Sequence, residues 1–125
     1  MTKKLTRILV VDDYKDWRYA VGRIIESSPD CTVISEASDG AEAVQKATNL
    51  QPDLITLDIG LPVLNGIEVS RLIRQKCPQT RVVFVTQNSD SEIRQAAIGT
   101  GAVGYVLKSN ARHELPDVIA TALNC

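Results

Sequence analysis

Several features that would mark a membrane, secreted or nucleotide-binding protein are absent from the sequence. Its apolar runs are short, whereas about 20 consecutive apolar residues are needed to cross a bilayer. No glycine-rich GxGxxG or GxxxxGK motif follows a candidate strand, so a nucleotide-binding domain is not predicted. Lys3, Lys4 and Arg7 precede an apolar run, but Asp12 and Asp13 end it too early for a signal peptide.

Charge and cysteine content exclude further classes of protein. The net charge is −1 and no basic run occurs, so we expect no direct nucleic-acid binding by this chain. The three cysteines are odd in number, widely spaced and outside any CxxC pattern, which argues against a disulfide framework or a cysteine metal site. The sequence therefore predicts a cytoplasmic protein without a membrane span. The cysteines are Cys31, Cys77 and Cys125.

The 125 residues are enough for one domain with a hydrophobic core. Short β-branched runs alternate with segments of helical periodicity. Strands are predicted near 7–11, 32–37, 53–57, 81–85 and 103–107, and helices near 14–27, 41–49, 65–76 and 90–99, with a last helical pattern around 115–122. Five βα units of this kind predict an α/β fold, a single doubly wound parallel sheet covered on both faces.

Local signals predict several helix ends. Asp39-Gly40 starts the second helix and Ser89-Asp90 starts the fourth, with side chains that can cap free amides. Cys77 stands before a proline and should end the third helix. Pro116 falls inside the last helical pattern, where proline is tolerated only in the first turn. We therefore expect this helix to begin late, near 112–115, or to bend at Pro116.

Polar residues directly follow four of the predicted strands. Asp12 and Asp13 follow the first, Asp58 the third, Thr86 the fourth and Lys108 the fifth. The carboxyl ends of parallel strands meet at one edge of a sheet, where open α/β sheets bind ligands. Three carboxylates, a hydroxyl and an ammonium are therefore expected in one crevice, as a site for a divalent cation and a phosphoryl group.

The carboxylates of this set need a cation. At about 5 Å and an effective dielectric constant near 20, each pair repels by roughly 3 kcal/mol, and Mg²⁺ would remove the conflict because it prefers hard oxygen ligands. Successive strand residues point to opposite faces, so one of Asp12 and Asp13 should bind it directly and the other through water. Asp58 would then be the nucleophile that forms an acyl phosphate, with Lys108 neutralising the transferring group.

The pattern resembles the receiver domain of two-component response regulators, and the resemblance covers essentially the whole chain, 1–125. It implies a flavodoxin-like, CheY-like (βα)5 fold with strand order 2-1-3-4-5. The residues that carry it are Asp12-Asp13, the segment 57–62 (LDIGLP), Asn65-Gly66, Thr86 and the segment 105–108 (YVLK).

By this resemblance the chain is a phosphorylation-dependent signalling switch and not a multiple-turnover enzyme. Asp58 would accept a phosphoryl group from a sensor histidine kinase, and Lys108 and Thr86 would hold the phosphoryl oxygens. Thr86 and Tyr105 would then switch the face made by the fourth helix, fifth strand and fifth helix. From the residues alone, Tyr105 is explained better as packing at the edge of the core.

The resemblance also implies a metal site and an output. Mg²⁺ would be bound by Asp13, Asp58 and the backbone carbonyl of Gly60, and through water by Asp12. The segment around Asp58 and the Lys108-Ser109 pair are similar to the NarL/FixJ-type subfamily, in which a DNA-binding domain usually follows. We therefore expect a fused or separate output domain acting in transcription. A homodimer through the fourth or fifth helix is left open.

Two positions depart from the common receiver pattern. Ser109 stands where many receivers have a proline preceded by a cis bond, so a trans peptide is expected here. Gln87 is larger than the small residue common after the threonine and is expected to cover part of the phosphoryl site.

Two other functions remain open at this stage. One is a binding module that is never phosphorylated, which the complete set of five residues argues against. The other is an aspartyl-phosphate phosphatase, which would need a second acid where Gly60 stands. Outside the set, Trp17 is expected to pack on the apolar stripe of the first helix and His113 to face solvent.

Overall fold

The computed structural model describes residues 4–123. The strands β1 to β5 span Thr6–Val11, Cys31–Ala37, Leu54–Leu57, Arg81–Thr86 and Gly104–Leu107. The helices α1 to α5 span Lys15–Glu26, Gly40–Leu50, Gly66–Lys76, Ser91–Gly99 and Ala111–Leu123, with a 3-10 turn at Lys108–Asn110. All five strands pair in parallel, in the order β2-β1-β3-β4-β5. The predicted fold class and strand order are confirmed.

The sheet separates two hydrophobic cores because successive strand residues point to opposite faces. One core lies under α2, α3 and α4 and contains Leu9, Leu57 and Phe84. The other lies under α1 and α5 and contains Ile8 and Val106. The central strand β3 is buried along its whole length, which explains why it lacks polar alternation.

Side-chain caps fix the start of three helices. Asp39 accepts a hydrogen bond from the N–H of Glu42, which confirms the predicted cap of α2. Of the predicted pair Ser89-Asp90, Asp90 is the cap of α4 and accepts from the N–H groups of Glu92 and Ile93. Asn65 forms a capping box with Glu68 at the start of α3, an arrangement that the sequence analysis did not anticipate. Cys77 ends α3, as predicted.

The prediction for the last helix is wrong in one respect. α5 begins at Ala111, directly after the 3-10 turn, and Pro116 is its sixth residue. Pro116 therefore lies beyond the first turn, where its ring leaves the carbonyl of Arg112 without an amide donor. The helix is nevertheless held by burial, since Leu115 and Ile119 pack into the core on either side of the proline. A bend at Pro116 stays a prediction.

Other local predictions can be checked in the same residues. The Lys108–Ser109 peptide is trans, as expected, and His113 is exposed. No helix within 4–123 is long and apolar enough to cross a membrane. Lys3 and Cys125 lie outside the described residues.

Candidate functional site

Four strands end at the same edge of the sheet, here called the carboxyl edge. The register pairs Val11 at the end of β1 with Leu57 at the end of β3, and Thr86 of β4 with Leu107 of β5. The N–H of Asp58 donates to the carbonyl of Val11 at 3.1 Å, which continues the ladder one residue past the strands. The residues at and directly after the ends of these strands are therefore neighbours, as the sequence predicts.

Lys108 joins two of the predicted carboxylates at this edge. Its Nζ lies 2.7 Å from Oδ2 of Asp12 and 3.1 Å from Oδ2 of Asp58. None of the three side chains is more than 10% exposed. Because removing one partner of a buried ion pair leaves the other charge uncompensated, these three groups depend on each other for their positions.

Asp13 completes a cluster of three acids. Carboxylate oxygens of Asp12, Asp13 and Asp58 all lie within 4.8 Å of one another. Asp12 is buried and Asp13 is exposed, so the two neighbouring acids have the different surroundings expected from strand alternation. The Lys108 ammonium contacts only Asp12 and Asp58 of these three acids, and the resulting excess of negative charge on oxygen ligands suits a hard divalent cation.

Burial raises the pKa of Asp12 above its ordinary value. The hydrogen bonds from Lys108 and from the N–H of Tyr14 lower this pKa, but not enough to offset burial, and the charge of Asp58 adds to the rise. The surroundings of Asp12 in the folded protein therefore disfavour its ionised form. A bound cation would relieve this cost, because metal ligands bind in their deprotonated form.

Hydrogen bonds orient the Asp58 carboxylate. Its Oδ1 accepts from the N–H of Ile59 at 2.8 Å, while Oδ2 faces Lys108. The start of α3 packs closely against the backbone of Asp58, since a Cβ on Gly66 would lie only 2.2 Å from the Asp58 carbonyl oxygen. The glycine at this position lets the helix start approach the loop that carries the acid.

An open cleft of about 640 Å³ lies over this site. It brings together Asp58 and Lys108 with two further predicted residues, Gly60 and Thr86. The exposed Gln87 also lines it, and the covering of part of the phosphoryl site by this side chain stays a prediction. The lining residues are Asp13, Tyr14, Trp17, Asp58, Ile59, Gly60, Thr86, Gln87, Asn88 and Lys108, and we call this space the Asp58 cleft.

Tyr105 does not line the Asp58 cleft but is linked to it through Asn88. The Tyr105 hydroxyl donates to the Asn88 carbonyl at 2.7 Å, and the Asn88 N–H donates to Oγ1 of Thr86 at 3.3 Å. The Tyr105 ring is half-buried, packs against Phe84, and lies beneath the guanidinium of Arg94. The predicted packing at the core edge is confirmed, and the hydrogen bonds give a physical connection between Thr86 and Tyr105.

We expect Tyr105→Phe to lower the free energy of unfolding by about 1 kcal/mol at neutral pH, because the hydrogen bond of the hydroxyl is lost. Above pH 10 this difference from wild type should shrink. Burial raises the pKa of Tyr105, so the unfolded chain releases the phenolic proton first as the pH rises. Wild type therefore loses stability in that range, whereas the phenylalanine variant has no such proton to lose. Urea unfolding of both proteins between pH 8 and 11 measures the difference. A constant difference across that range, with Tyr19→Phe at an exposed tyrosine as control, would contradict the expectation.

Arg18 is a site residue that the sequence analysis missed. Its Nη1 donates to the backbone carbonyl of Asp12 at 3.0 Å, and its Nε donates to Glu36 at 2.9 Å. It thereby ties α1 to the turn that carries two of the acids and to β2. The signal in the sequence was an arginine in the first turn of the helix that follows the acidic pair, but its partner Glu36 could not be predicted from local spacing.

A sequence profile described as the response regulator receiver domain matches residues 8–120. The chain belongs to this family.

Relatives of this receiver domain have different outputs. It is 46% identical over 110 residues to a protein-glutamate methylesterase/protein-glutamine glutaminase of Thermotoga maritima, covering 86% of this chain and 32% of that protein. It is 37% identical over 108 residues to the nitrate/nitrite response regulator protein NarL of Escherichia coli, covering 86% of this chain and 50% of that protein. The chain thus spans 32% of the length of one of these relatives and 50% of the other. NarL among them agrees with the NarL-type resemblance.

The fold comparison gives the same family. The receiver domain superposes on the crystal structure of the response regulator domain of Thermotoga maritima CheB with a TM-score of 0.91 and 39% identity, covering 98% of both chains. A receiver domain is a phosphoacceptor, and the methylesterase activity named for one relative belongs to a much longer protein.

Proposed function

We propose that this receiver domain, residues 1–125, is a phosphorylation-dependent signalling switch whose acceptor is Asp58. The observation that supports it best is the placement of the Asp58 carboxylate, which borders an open cleft and has the Lys108 ammonium 3.1 Å away. An Asp58 oxygen would attack phosphorus and form a P–O bond. The bond from phosphorus to a histidine nitrogen of the kinase would break, with its electron pair staying on nitrogen.

Lys108 and Thr86 have separate tasks in this proposal. Lys108 carries a charge that can follow the phosphoryl oxygens, because a lysine acts as a point charge on a flexible stem. The Thr86 hydroxyl can donate one hydrogen bond to the same group. Both line the Asp58 cleft, which supports their assignment to the transferring group.

We propose that the acidic cluster binds Mg²⁺ through Asp13, Asp58 and the Gly60 carbonyl, with Asp12 acting through water. The cluster fits such an ion because carboxylate oxygens of its three acids lie within 4.8 Å of one another. The Lys108 ammonium already serves as a cation between Asp12 and Asp58, so these two acids do attract positive charge. When bound, the ion supplies charge that neutralises the oxygens of the transferring group.

Phosphorylation would be transmitted through the Thr86–Asn88–Tyr105 hydrogen bonds to the face formed by α4, β5 and α5. A Thr86 hydroxyl drawn toward the phosphoryl group would move away from the Asn88 N–H, which frees the loop bonded to Tyr105. A switch from 1:99 to 99:1 needs about 5.5 kcal/mol, and hydrogen bonds to charged groups supply roughly 1.5–3 kcal/mol each. Two such bonds reach that figure only when shielded from water, so we expect partial switching.

The partners follow from this chemistry. The donor would be a sensor histidine kinase in the cytoplasm, and the output a fused or separate domain, with transcription favoured by the NarL-type relative. This chain would act by contact with protein partners and would not bind DNA itself, since its net charge is −1. A homodimer through the switched face is one form that such contact can take.

The direct test is incubation with a small acyl phosphate and Mg²⁺, followed by intact mass measurement. We expect one phosphoryl group per chain, lost on mild alkaline treatment because acyl phosphates hydrolyse readily. Omitting Mg²⁺ by adding a chelator should suppress the labelling. No added mass, under conditions that label another receiver domain, would overturn the proposal and favour a binding module that works without phosphorylation.

A further inference from the structure

We propose that Trp17 is a positioning residue whose indole ring holds the Lys108 ammonium in the Asp58 cleft. The Lys108 Nζ lies over the ring of Trp17, 4.9 Å from its centroid. Attraction between a cation and an aromatic face acts within about 6 Å and is strongest for tryptophan. Trp17 lines the same cleft as Asp58 and Lys108, so the contact lies inside the site and not behind it.

Both sides of this contact are shielded from water. The Lys108 side chain is 5% exposed, and Trp17 is half-buried and packs against the core under α1 and α5. A cation–π contact strengthens when the cation loses its water. The backbone that carries the ring is anchored, because the adjacent Arg18 ties this part of α1 to the Asp12 carbonyl and to Glu36.

The ring has a role that the two acidic partners of Lys108 cannot fill. This step rests on the proposed function, in which Asp58 becomes the acceptor and Asp12 faces a cation. Once Asp58 carries the phosphoryl group or Asp12 faces the cation, the ion pair of that acid with Lys108 weakens. The attraction of the Trp17 ring does not depend on what the acids bind. Trp17 therefore keeps the ammonium beside the transferring group when its ionic partners are occupied.

The kinetic test compares Trp17→Leu and Trp17→Phe with wild type in the rate of phosphorylation by a small acyl phosphate. We expect the leucine variant to be about 3- to 30-fold slower, a range set by cation–π strength at a shielded site. The phenylalanine variant keeps an aromatic face and should lie between leucine and wild type. Tyr19→Leu is the matched control, because Tyr19 is an exposed aromatic residue of α1 that contacts Arg23 instead, and it should react at the wild-type rate.

A purely structural role is separated by repeating the comparison on Lys108→Met. Without the ammonium, Trp17→Leu should leave the residual phosphorylation rate unchanged. It should also lower the urea midpoint less than it does when Lys108 is present, because only the packing of Trp17 against the core is then lost. The proposal would be overturned if Trp17→Leu lowered the phosphorylation rate by the same factor, or the urea midpoint by the same amount, with and without the ammonium. A phenylalanine variant that is phosphorylated as slowly as the leucine variant would also overturn it. The urea series decides the matter if Lys108→Met reacts too slowly to follow.

Fluorescence gives a readout that needs no phosphorylation. Trp17 is the only tryptophan of the chain, so Lys108→Met should change the emission of the unphosphorylated protein. Identical emission in the two proteins would overturn the contact. If wild type takes no phosphoryl group but Lys108→Met still changes the emission, the proposed function is refuted and the Trp17–Lys108 contact is supported. A labelled wild type with unaffected Trp17 variants would refute only the present inference.

Discussion

Asp58→Asn is expected to abolish phosphoryl incorporation while the protein stays folded. An amide has the shape of the carboxylate and can still accept the hydrogen bond from the Ile59 N–H, but its oxygen is too weak a nucleophile to attack phosphorus. Lys108 keeps its second partner, with Asp12 at 2.7 Å, so no buried charge is left alone. Intact mass after incubation with acyl phosphate and Mg²⁺ measures the loss, and circular dichroism checks the fold.

The control for this variant is the same substitution at the other end of the strand. Asp53 precedes β3 and accepts a hydrogen bond from the N–H of Arg7, on the opposite edge of the sheet from Lys108. Asp53→Asn should therefore be labelled as fully as wild type. If Asp58→Asn still gains one phosphoryl group per chain, the acceptor is another acid, and peptide mapping would test Asp12 and Asp13 first.

The strands and the site edge could be predicted from the sequence because their signals are local. Four β-branched runs are each followed by a polar residue. Parallel pairing of the strands then brings those residues to one edge of the sheet, irrespective of side-chain conformation. The predicted bounds of β1 and β3 agree with the observed Thr6–Val11 and Leu54–Leu57 to within one residue. For this reason the closeness of Asp58 and Lys108, 50 positions apart, followed from topology.

The contacts that could not be predicted depend on side-chain direction or on tertiary packing. Arg18 reaches Glu36 near the far end of β2, 18 positions along the chain. Nothing in local spacing indicates that Lys108 lies over the Trp17 ring. Pro116 shows packing overriding a local preference, since α5 continues through it. Val63 has a φ of 72°, a conformation that β-branched residues rarely adopt, and the structure gives no reason for it.

Gly66→Ala is expected to destabilise the protein strongly, by about 3 kcal/mol or more. A Cβ at this position would lie 2.2 Å from the Asp58 carbonyl oxygen and 2.8 Å from the Cα of Ile59. These are backbone atoms of the loop that carries the acceptor, so they cannot rotate away as the end of a side chain could. Either α3 or the loop must move, and the Asp58 carboxylate moves with it. We therefore expect a lower urea midpoint and slower labelling of the molecules that remain folded.

A glycine-to-alanine change within α1 should raise the urea midpoint and not lower it, which makes it a matched control. At Gly22 the nearest atom to an added Cβ is a methyl carbon of Val33 at 3.9 Å, an ordinary contact. Alanine in a helix interior is favoured over glycine by roughly 0.5–1 kcal/mol, so Gly22→Ala should raise the midpoint and leave labelling unchanged. Equal midpoints for the two variants would mean that the loop adapts freely, and that α3 does not hold the Asp58 backbone in place.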